Sequence, residues 1–211
     1  MVVRAWPIHP SASLRFGPDG ALYAGLDAGG DARRAGDLAD PGGKVLRLDR
    51  DGGTPDDQPA ATPLFSAGHD APRGLAWQRA SGALWVLDAP PLASVRLTAV
   101  AAGAGRPAGG AVLAAIALPE LVAPSSAAFY RGDAIPDFKG DLLVAAGEGR
   151  HLLRLRFDDR DPWRVVSREV LLRDFPGPIR VVAVGSDGAI YFCTKRALAR
   201  LVKWGQTPFP S

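Results

Sequence analysis

Hydrophobic and polar residues alternate in short runs along this chain, and four of the runs begin directly after a glycine turn. The turns are centred on Gly20, Gly82, Gly140 and Gly188, which stand 62, 58 and 48 residues apart. Alternation with a period of two predicts half-buried β-strands. A recurrence of roughly 50 residues is typical of the blades of a propeller. The pattern therefore predicts an all-β propeller of four blades.

Four strands can be assigned to each of the first three turns and three strands to the last. In chain order the predicted strands are Ser13–Phe16, Ala21–Leu26, Lys44–Asp49 and Thr62–Ala67; Gly74–Trp77, Ala83–Leu87, Ser94–Val100 and Val112–Leu118; Ser126–Tyr130, Asp141–Ala146, His151–Phe157 and Val165–Arg173; and Ile179–Val184, Ala189–Thr194 and Ala197–Lys203. Together they predict a single domain over residues 1–211, with blades at about 10–68, 69–120, 121–175 and 176–204.

A spare strand at residues 2–8 precedes the first blade. Pairing it beside Ala197–Lys203 would complete the fourth blade and close the array, because joining the chain ends hides two sheet edges. In the alternative interpretation the chain is the carboxy-terminal part of a larger propeller, and the spare strand belongs to another blade. Both interpretations predict the same four blades.

The alternating apolar positions also predict which side chains lie buried between neighbouring blades, since residues two apart share a face of a strand. These predicted core residues are Leu14, Phe16, Leu22, Leu46, Leu75, Trp85, Leu142, Val144, Leu153, Val182 and Tyr191.

Composition and charge exclude several classes of function. The 25 basic and 22 acidic residues are interspersed and leave a net charge of only +3, so the basic face of a nucleic-acid-binding protein is not indicated. No apolar run is long enough for a membrane-spanning helix, and the amino terminus does not resemble a signal peptide. The lone Cys193 cannot form an intramolecular disulfide, and no Cys/His cluster has zinc spacing.

Several motifs resemble, in order, the glucose/sorbosone dehydrogenases, the soluble aldose dehydrogenases that depend on pyrroloquinoline quinone (PQQ). The motifs are HPSASLRFGPDG at 9–20, GKVLRLD at 43–49, GHDAPRGLAW at 68–77, and the stretches 123–133, 136–144 and 149–155. The resemblance implies a six-bladed family propeller of which this chain matches the last four blades and lacks the first two. It further implies a periplasmic or secreted location, oxidation of a sugar hydroxyl, and PQQ and calcium as cofactors.

The resemblance implies a catalytic role for His9 and Asp27. In the family, a histidine at the start of a strand takes the hydroxyl proton as hydride passes to the quinone, and the pKa of an imidazole suits this step. His9 holds the matching position, although Ala12 and Ser13 replace the glycine and arginine of the motif. Direct counting places Ala28 where the family has the aspartate that orients this histidine. Asp27, one residue earlier, can serve only if the strand has ended or bulged there.

The cofactor positions depart further from the family pattern. The family binds the three PQQ carboxylates with an arginine, an asparagine, a lysine and two further arginines, and the matching positions here are Asp70, Ala71, Glu148, Pro178 and Arg180. Only Arg180 is retained, and two cations have become anions, which weakens the binding of a tri-anion. Arg73 and Arg150 are the candidate replacements.

Calcium ligands in the family are partly main-chain carbonyls and leave no side-chain signature, so the metal site stays unknown. The acidic loops 27–40 and 49–57 offer oxygen ligands, but turn-forming aspartates explain them equally well, and Ala60 stands where an EF-hand loop ends in glutamate.

Three functions remain open on the sequence. The first is a PQQ-dependent sugar dehydrogenase acting through His9 and Arg180. The second is a propeller that has lost its cofactor and acts as a binding or interaction module. The third, by analogy of fold alone, is a metal-dependent lactonase-type hydrolase. A small-molecule sugar is the expected partner if there is one, and the oligomeric state is not indicated.

Overall fold

The computed structural model describes residues 11–58, 61–90, 93–101 and 111–201. Over these residues the chain forms fifteen strands. They are β1 Ala12–Phe16, β2 Leu22–Leu26, β3 Lys44–Leu48, β4 Leu64–Ala67, β5 Pro72–Trp77, β6 Leu84–Asp88, β7 Arg96–Ala101, β8 Ala111–Ala117, β9 Pro124–Phe129, β10 Leu142–Ala146, β11 His151–Phe157, β12 Val165–Leu171, β13 Val181–Val184, β14 Ile190–Cys193 and β15 Leu198–Leu201. One short helix, α1 (Ala32–Gly36), and one 3₁₀ turn at Pro136–Phe138 complete the elements.

The strands form four antiparallel sheets, and each sheet follows chain order. Three sheets have four strands, β1 to β4, β5 to β8 and β9 to β12, and the fourth has the three strands β13 to β15. The all-β class and the four predicted blades are confirmed. The predicted strands agree with the observed ones to within about two residues at most ends. The proposed pairing of residues 2–8 with the last strand lies outside the described residues.

Glycine makes the first hairpin of every blade possible. Gly20, Gly82, Gly140 and Gly188 have φ values of 77°, 71°, 87° and 75°. This left-handed region is open to glycine without the steric cost that a Cβ atom adds. The repeat seen in the sequence is therefore a repeat of backbone conformation.

The chain divides into two compact units. The first runs up to Trp77 and resumes over Ala83–Pro119, and it holds the first two blades. The second holds the last two blades, from Glu120 onward, together with the turn Gln78–Gly82. The expectation of a single domain over 1–211 stays a prediction.

Aromatic stacking organises the core of the first unit. The ring of Tyr23 meets those of Phe65 and Trp77 edge to face, with centroids 5.1 and 4.8 Å apart. Such contacts add to the free energy gained from burying the rings. In the second unit Tyr130 is 1% exposed, and its hydroxyl donates to the carbonyl oxygen of Gly188 over 2.7 Å.

Most of the predicted core is buried. Seven of its members are buried, namely Leu46, Leu75, Trp85, Leu142, Val144, Leu153 and Val182, and two are half-buried, Leu22 and Tyr191. The prediction is wrong for Leu14 and Phe16, which are 54% and 73% exposed. Both lie on β1, an edge strand whose only sheet partner is β2, and the face that carries them is open among the described residues. Within the described part of the chain, no helix has the length and apolarity needed to span a membrane.

Candidate functional site

The candidate site in the first unit lies at one end of its two sheets. Neighbouring antiparallel strands run in opposite directions, so β1 and β5 begin at the same end at which β2 and β6 finish. The loop after β2 meets the loop before β5 there, where the amide of Ala28 donates to the carbonyl oxygen of Asp70 over 2.9 Å. Polar side chains from four strand ends therefore converge.

Asp27 and Arg73, one predicted as catalytic and the other as cofactor-binding, form an ion pair. Asp27 Oδ2 accepts from Arg73 Nη2 at 2.9 Å and from Ser11 Oγ at 3.2 Å, and Asp27 Oδ1 accepts from the amide of Gly29 at 2.7 Å. Arg73 Nη1 also donates to Ser11 Oγ. The Asp27 carboxylate is thereby filled, and the guanidinium of Arg73 is held in place.

The backbone meets the condition under which Asp27 could serve as an orienting residue. Strand β2 ends at Leu26, and two glycines with positive φ, Gly29 and Gly30, follow shortly after. Asp27 is therefore released from the alternation of the strand. His9 lies outside the described residues, so its role and its relation to Asp27 stay predictions.

A second ion-pair group lies beside the first. Asp88 is 1% exposed, and its carboxylate accepts from the amides of Asp70 and Ala71 at 3.1 and 2.6 Å. Arg96 Nη2 lies 3.2 Å from Asp88 Oδ2 and 3.4 Å from Asp70 Oδ2. Burial raises the pKa of the Asp70 carboxyl, and the nearby charge of Asp88 raises it further. An aspartate that matches an arginine position is thus stabilised by another arginine.

Sequence reasoning missed Asp88 and Arg96. Asp88 closes the apolar run Leu84–Asp88, and a single carboxylate at the end of such a strand was the available signal. Arg96 begins the neighbouring strand, directly opposite Asp88 in the register of β6 and β7. Opposite charges at paired positions stabilise a sheet. Pairing of the two residues could have been predicted only with the register known.

His69 lies beneath this surface and is not positioned to act on a ligand. It is 3% exposed, and its Nε2 lies 2.8 Å from Ser66 Oγ. Burial lowers the pKa of the imidazole to about 4, so the ring is neutral near pH 7. A neutral, enclosed histidine bonded to a buried serine has a structural role.

Lys44 fills the space inside the acidic loop 27–40 with its own charge. It is 1% exposed, and its Nζ donates to the carbonyl oxygens of Arg34, Ala35 and Gly42 at 2.7, 3.1 and 2.8 Å. An ammonium group has three donors, and all three are satisfied. Burial lowers the pKa of Lys44.

The aspartates of both acidic loops serve local structure. Asp31 caps α1, Asp40 pairs with Arg34 at 2.8 Å, and Asp57 pairs with Arg47 at 2.7 Å. Asp49 accepts from the amide of Gly53 at 2.7 Å within its turn. In the part of the chain that the structure describes, no group of three or more His, Cys, Asp or Glu side chains is arranged to hold a metal ion.

The corresponding end of the second unit is more open. Glu148 follows β10, Arg150 precedes β11, and Arg180 precedes β13, and all three side chains are exposed. Arg150 Nε donates to the carbonyl oxygen of Phe175 over 2.8 Å. Within residues 111–201, neither Arg180 nor Glu148 has a side-chain partner. Arg180 is held through its backbone, whose amide donates to the carbonyl of Cys193 over 2.7 Å.

The family model described as glucose/sorbosone dehydrogenase matches residues 4–105 and 103–203, nearly the whole chain. The chain belongs to this family. The resemblance seen in the motifs is thereby confirmed. The family's sugar-dehydrogenase character applies to this chain as a general class.

Several members of the family are similar over most of this chain. An aldose sugar dehydrogenase of Escherichia coli (strain K12), YliI, is 26% identical over 92% of this chain and 59% of its own length. The PQQ-bound aldose sugar dehydrogenase of Streptomyces coelicolor superposes with a TM-score of 0.69 at 25% identity, covering 86% of this chain and 54% of its own. A glucose dehydrogenase described as a putative oxidoreductase from Thermus thermophilus gives 0.69 at 32% identity, covering 86% and 58%. The chain spans somewhat over half of each relative.

The residues at the family's cofactor positions do not fit a quinone that carries three carboxylates. In the first unit, Asp70 adds a negative charge, and Arg73 is engaged by Asp27. In the second unit, Glu148 is an exposed anion, and Arg180 is the only guanidinium at a matched position. A tri-anion would thus meet two carboxylates where the family pattern has cations.

Proposed function

We propose that this chain is a sugar-binding propeller of the glucose/sorbosone dehydrogenase family that does not hold PQQ. The observation that carries the proposal is the Asp27–Arg73 ion pair at 2.9 Å. Arg73 is the candidate replacement for the arginine missing at position 70. Its guanidinium is bound to a carboxylate that is 7% exposed, and release would leave that carboxylate buried without its charge partner.

Charge magnitudes favour loss of the quinone. At an effective dielectric constant of about 20, two like charges about 6 Å apart repel by roughly 3 kcal/mol. Replacing a cation by an anion also removes an attraction of the same size. Two such replacements, at Asp70 and Glu148, oppose the binding of a tri-anion by more than one ion pair to Arg180 can restore.

The end of the first unit offers groups that suit a neutral sugar. The side chains of Asp70 and Arg96 are 30% and 48% exposed, so a carboxylate acceptor and a guanidinium donor both reach solvent. Sugar hydroxyls donate and accept, and they satisfy both kinds of group without adding charge. The family relationship supports a sugar as the ligand class, and a periplasmic or secreted location remains part of the proposal.

The proposal is tested by calorimetric titration of PQQ and calcium into the purified protein, together with dye-linked aldose oxidation. We expect no tight PQQ binding and no oxidation by the wild type. The double change Asp70→Arg with Glu148→Lys should raise the affinity for PQQ, because it restores both cations. A matched control, Asp51→Arg with Asp56→Lys, changes the net charge equally in the exposed β3–β4 loop at the other end of the sheet and should leave affinity unchanged. Submicromolar PQQ binding by the wild type would contradict the proposal.

A PQQ-dependent sugar dehydrogenase is the second candidate. The exposed guanidinium of Arg180, unpartnered within residues 111–201 and at a position that matches the family, favours it. Its test is His9→Ala, which should abolish dye-linked aldose oxidation in the presence of PQQ and calcium if His9 is the base. Oxidation that survives this change would exclude His9 as the base.

A further inference from the structure

A cleft of about 820 Å³ opens in the second unit, away from the residues that match the family's site. It lies where β9 and β11 end, lined by residues such as Phe129, Tyr130 and Phe157. Arg150 lies at the other end of β11, and a strand of seven residues spans about 20 Å. The cleft is therefore separate from the site described above.

The rim of the cleft is fixed by buried hydrogen bonds. Gln78 is 3% exposed, and its Nε2 donates to the carbonyl oxygen of Pro162 over 3.0 Å while its Oε1 accepts from Ser81 Oγ at 2.7 Å. These bonds tie the turn 78–82 to the loop after β11. A rim held in this way loses little further conformational entropy when a ligand binds.

A buried ion pair fixes the adjoining wall. Arg154 Nε donates to Asp141 Oδ2 at 2.5 Å, and the guanidinium of Arg154 lies 3.9 Å from the ring centroid of Phe138. The carbonyl oxygen of Asp137 accepts from both Arg154 and Arg156, the latter at 3.0 Å. Asp137 is thus held by the two arginines of β11.

The polar groups that remain available in the cleft have mixed charge. Five cationic and four carboxylate side chains line it. Among them, the side chains of Arg79, Arg160, Asp137 and Asp159 have no side-chain partner in the described part of the chain. Donors and acceptors therefore face the same space in nearly equal number. Apolar groups, among them the half-exposed Val166, lie between them.

We propose that this cleft binds a neutral saccharide. Nearly balanced charge gives an anionic ligand little net attraction, whereas vicinal hydroxyls can donate to Asp159 and accept from Arg160 at once. The apolar lining can contact the C–H face of a sugar ring, and the volume lies within the range of small-ligand pockets, about 300–1,000 Å³. The inference does not rest on the proposed function, because the cleft shares no residue with the family's site.

The experiment is calorimetric titration with glucose, maltotriose and cellotriose as neutral probes and glucuronate as a charged one. The wild type should bind at least one neutral probe, and more tightly than glucuronate. The double variant Asp159→Asn with Arg160→Gln should weaken that binding by roughly tenfold or more, because both changes remove charged hydrogen-bonding groups from exposed positions. The matched control Arg168→Gln, on β12 outside the cleft, should bind as the wild type does.

Two further measurements separate this cleft from the first unit. Asp70→Asn should leave this saccharide affinity unchanged, and hydrogen exchange should slow at 78–82 and 158–162 when the saccharide is added. Several outcomes would overturn the inference: no neutral probe binds up to tens of millimolar, glucuronate binds more tightly, or Asp70→Asn abolishes binding while the cleft variant retains it.

Discussion

The strand ends that carry the family's site differ sharply between the two units. In the first unit, Arg73 is bound by Asp27, and Arg96 by Asp88, with the acidic partners nearly inaccessible to solvent. In the second unit, Glu148 and Arg180 are exposed, and within residues 111–201 their side chains have no partner. One end satisfies its own charges, and the other leaves them to solvent.

The difference shows how a site can keep its scaffold and change its ligand. A buried charge must be paired or hydrogen-bonded, so each residue of the first unit's end is constrained by its neighbours. Asp70 is accommodated there by Arg96, at 3.4 Å. Exposed charges carry no such constraint, and the second unit's end can change without cost to folding. Stability measurements can therefore test the comparison directly.

Removal of the buried Lys44 charge should have the largest effect. Lys44→Met keeps the apolar stem but leaves the carbonyls of Arg34, Ala35 and Gly42 without their shared donor. We expect a loss of roughly 3–5 kcal/mol in the free energy of unfolding, measured by urea denaturation. The control is Lys139→Met, an exposed lysine of the second unit, which should change stability by less than about 1 kcal/mol. Equal effects of the two substitutions would contradict the assigned role of Lys44.

His69 should make the first unit sensitive to acid. The pKa of His69 in the folded chain is about 4, against 6.5 for an unperturbed imidazole, because the ring is buried. Between these values the unfolded chain binds the additional proton, so stability falls as the pH decreases from about 6.5 to 4. The expected loss is on the order of 3 kcal/mol.

The matched variant for this pH dependence is His69→Gln, which has no titrating ring. The difference in unfolding free energy between wild type and variant should shrink as the pH falls from 7 to 4.5, measured by urea denaturation at each pH. The neighbouring charges of Asp88, Arg96 and Lys44 are common to both proteins. A constant difference across this range would exclude a depressed pKa.

The Asp27–Arg73 pair should show coupling in a double-mutant cycle. Asp27→Asn and Arg73→Gln should each cost about 1–3 kcal/mol, because each leaves one charge without its partner in a largely enclosed place. The double variant should cost less than the sum of the two, and urea denaturation of all four proteins gives the coupling energy. Strict additivity would mean that the pair contributes no interaction energy.

The same type of substitution in the second unit should have the smallest effect. Arg180→Gln and Glu148→Gln should each change the free energy of unfolding by less than about 0.5 kcal/mol, since both side chains are exposed. Thermal or urea denaturation provides the measurement. A loss comparable to that of Arg73→Gln would show that the two ends are not different in the way described here.

Much of the fold could be predicted from single stretches of sequence. The glycine turns and the strands between them were found because positive φ and period-two alternation are local properties, as at Gly140 and Leu142–Ala146. Burial was predicted less well on β1, because exposure of Leu14 and Phe16 depends on what lies against a strand's face. Alternation identifies a face and does not show whether another element covers it.

The candidate site could be predicted only in part. The motifs located Asp27, Arg73, Asp70 and Arg180, and the family match agrees with the order of those motifs. Nothing in the sequence indicated that Lys44 would be enclosed by carbonyls, since those acceptors belong to every residue type. The partner of Asp88 was equally hidden until the register of β6 and β7 was known.

The sequence by itself determined the blades, their turns and the family, because each depends on residue types at short or fixed spacing. Only the tertiary structure decided which charge meets which. Arg73 joins Asp27 from another blade, and the turn at Gln78 meets Pro162 far along the chain. Ion pairs and clefts are made by side chains from separate strands and loops, and their distances follow from strand register and packing. The loss of the quinone's cations could be seen in the sequence, whereas the engagement of Arg73 by Asp27 could be seen only in the fold.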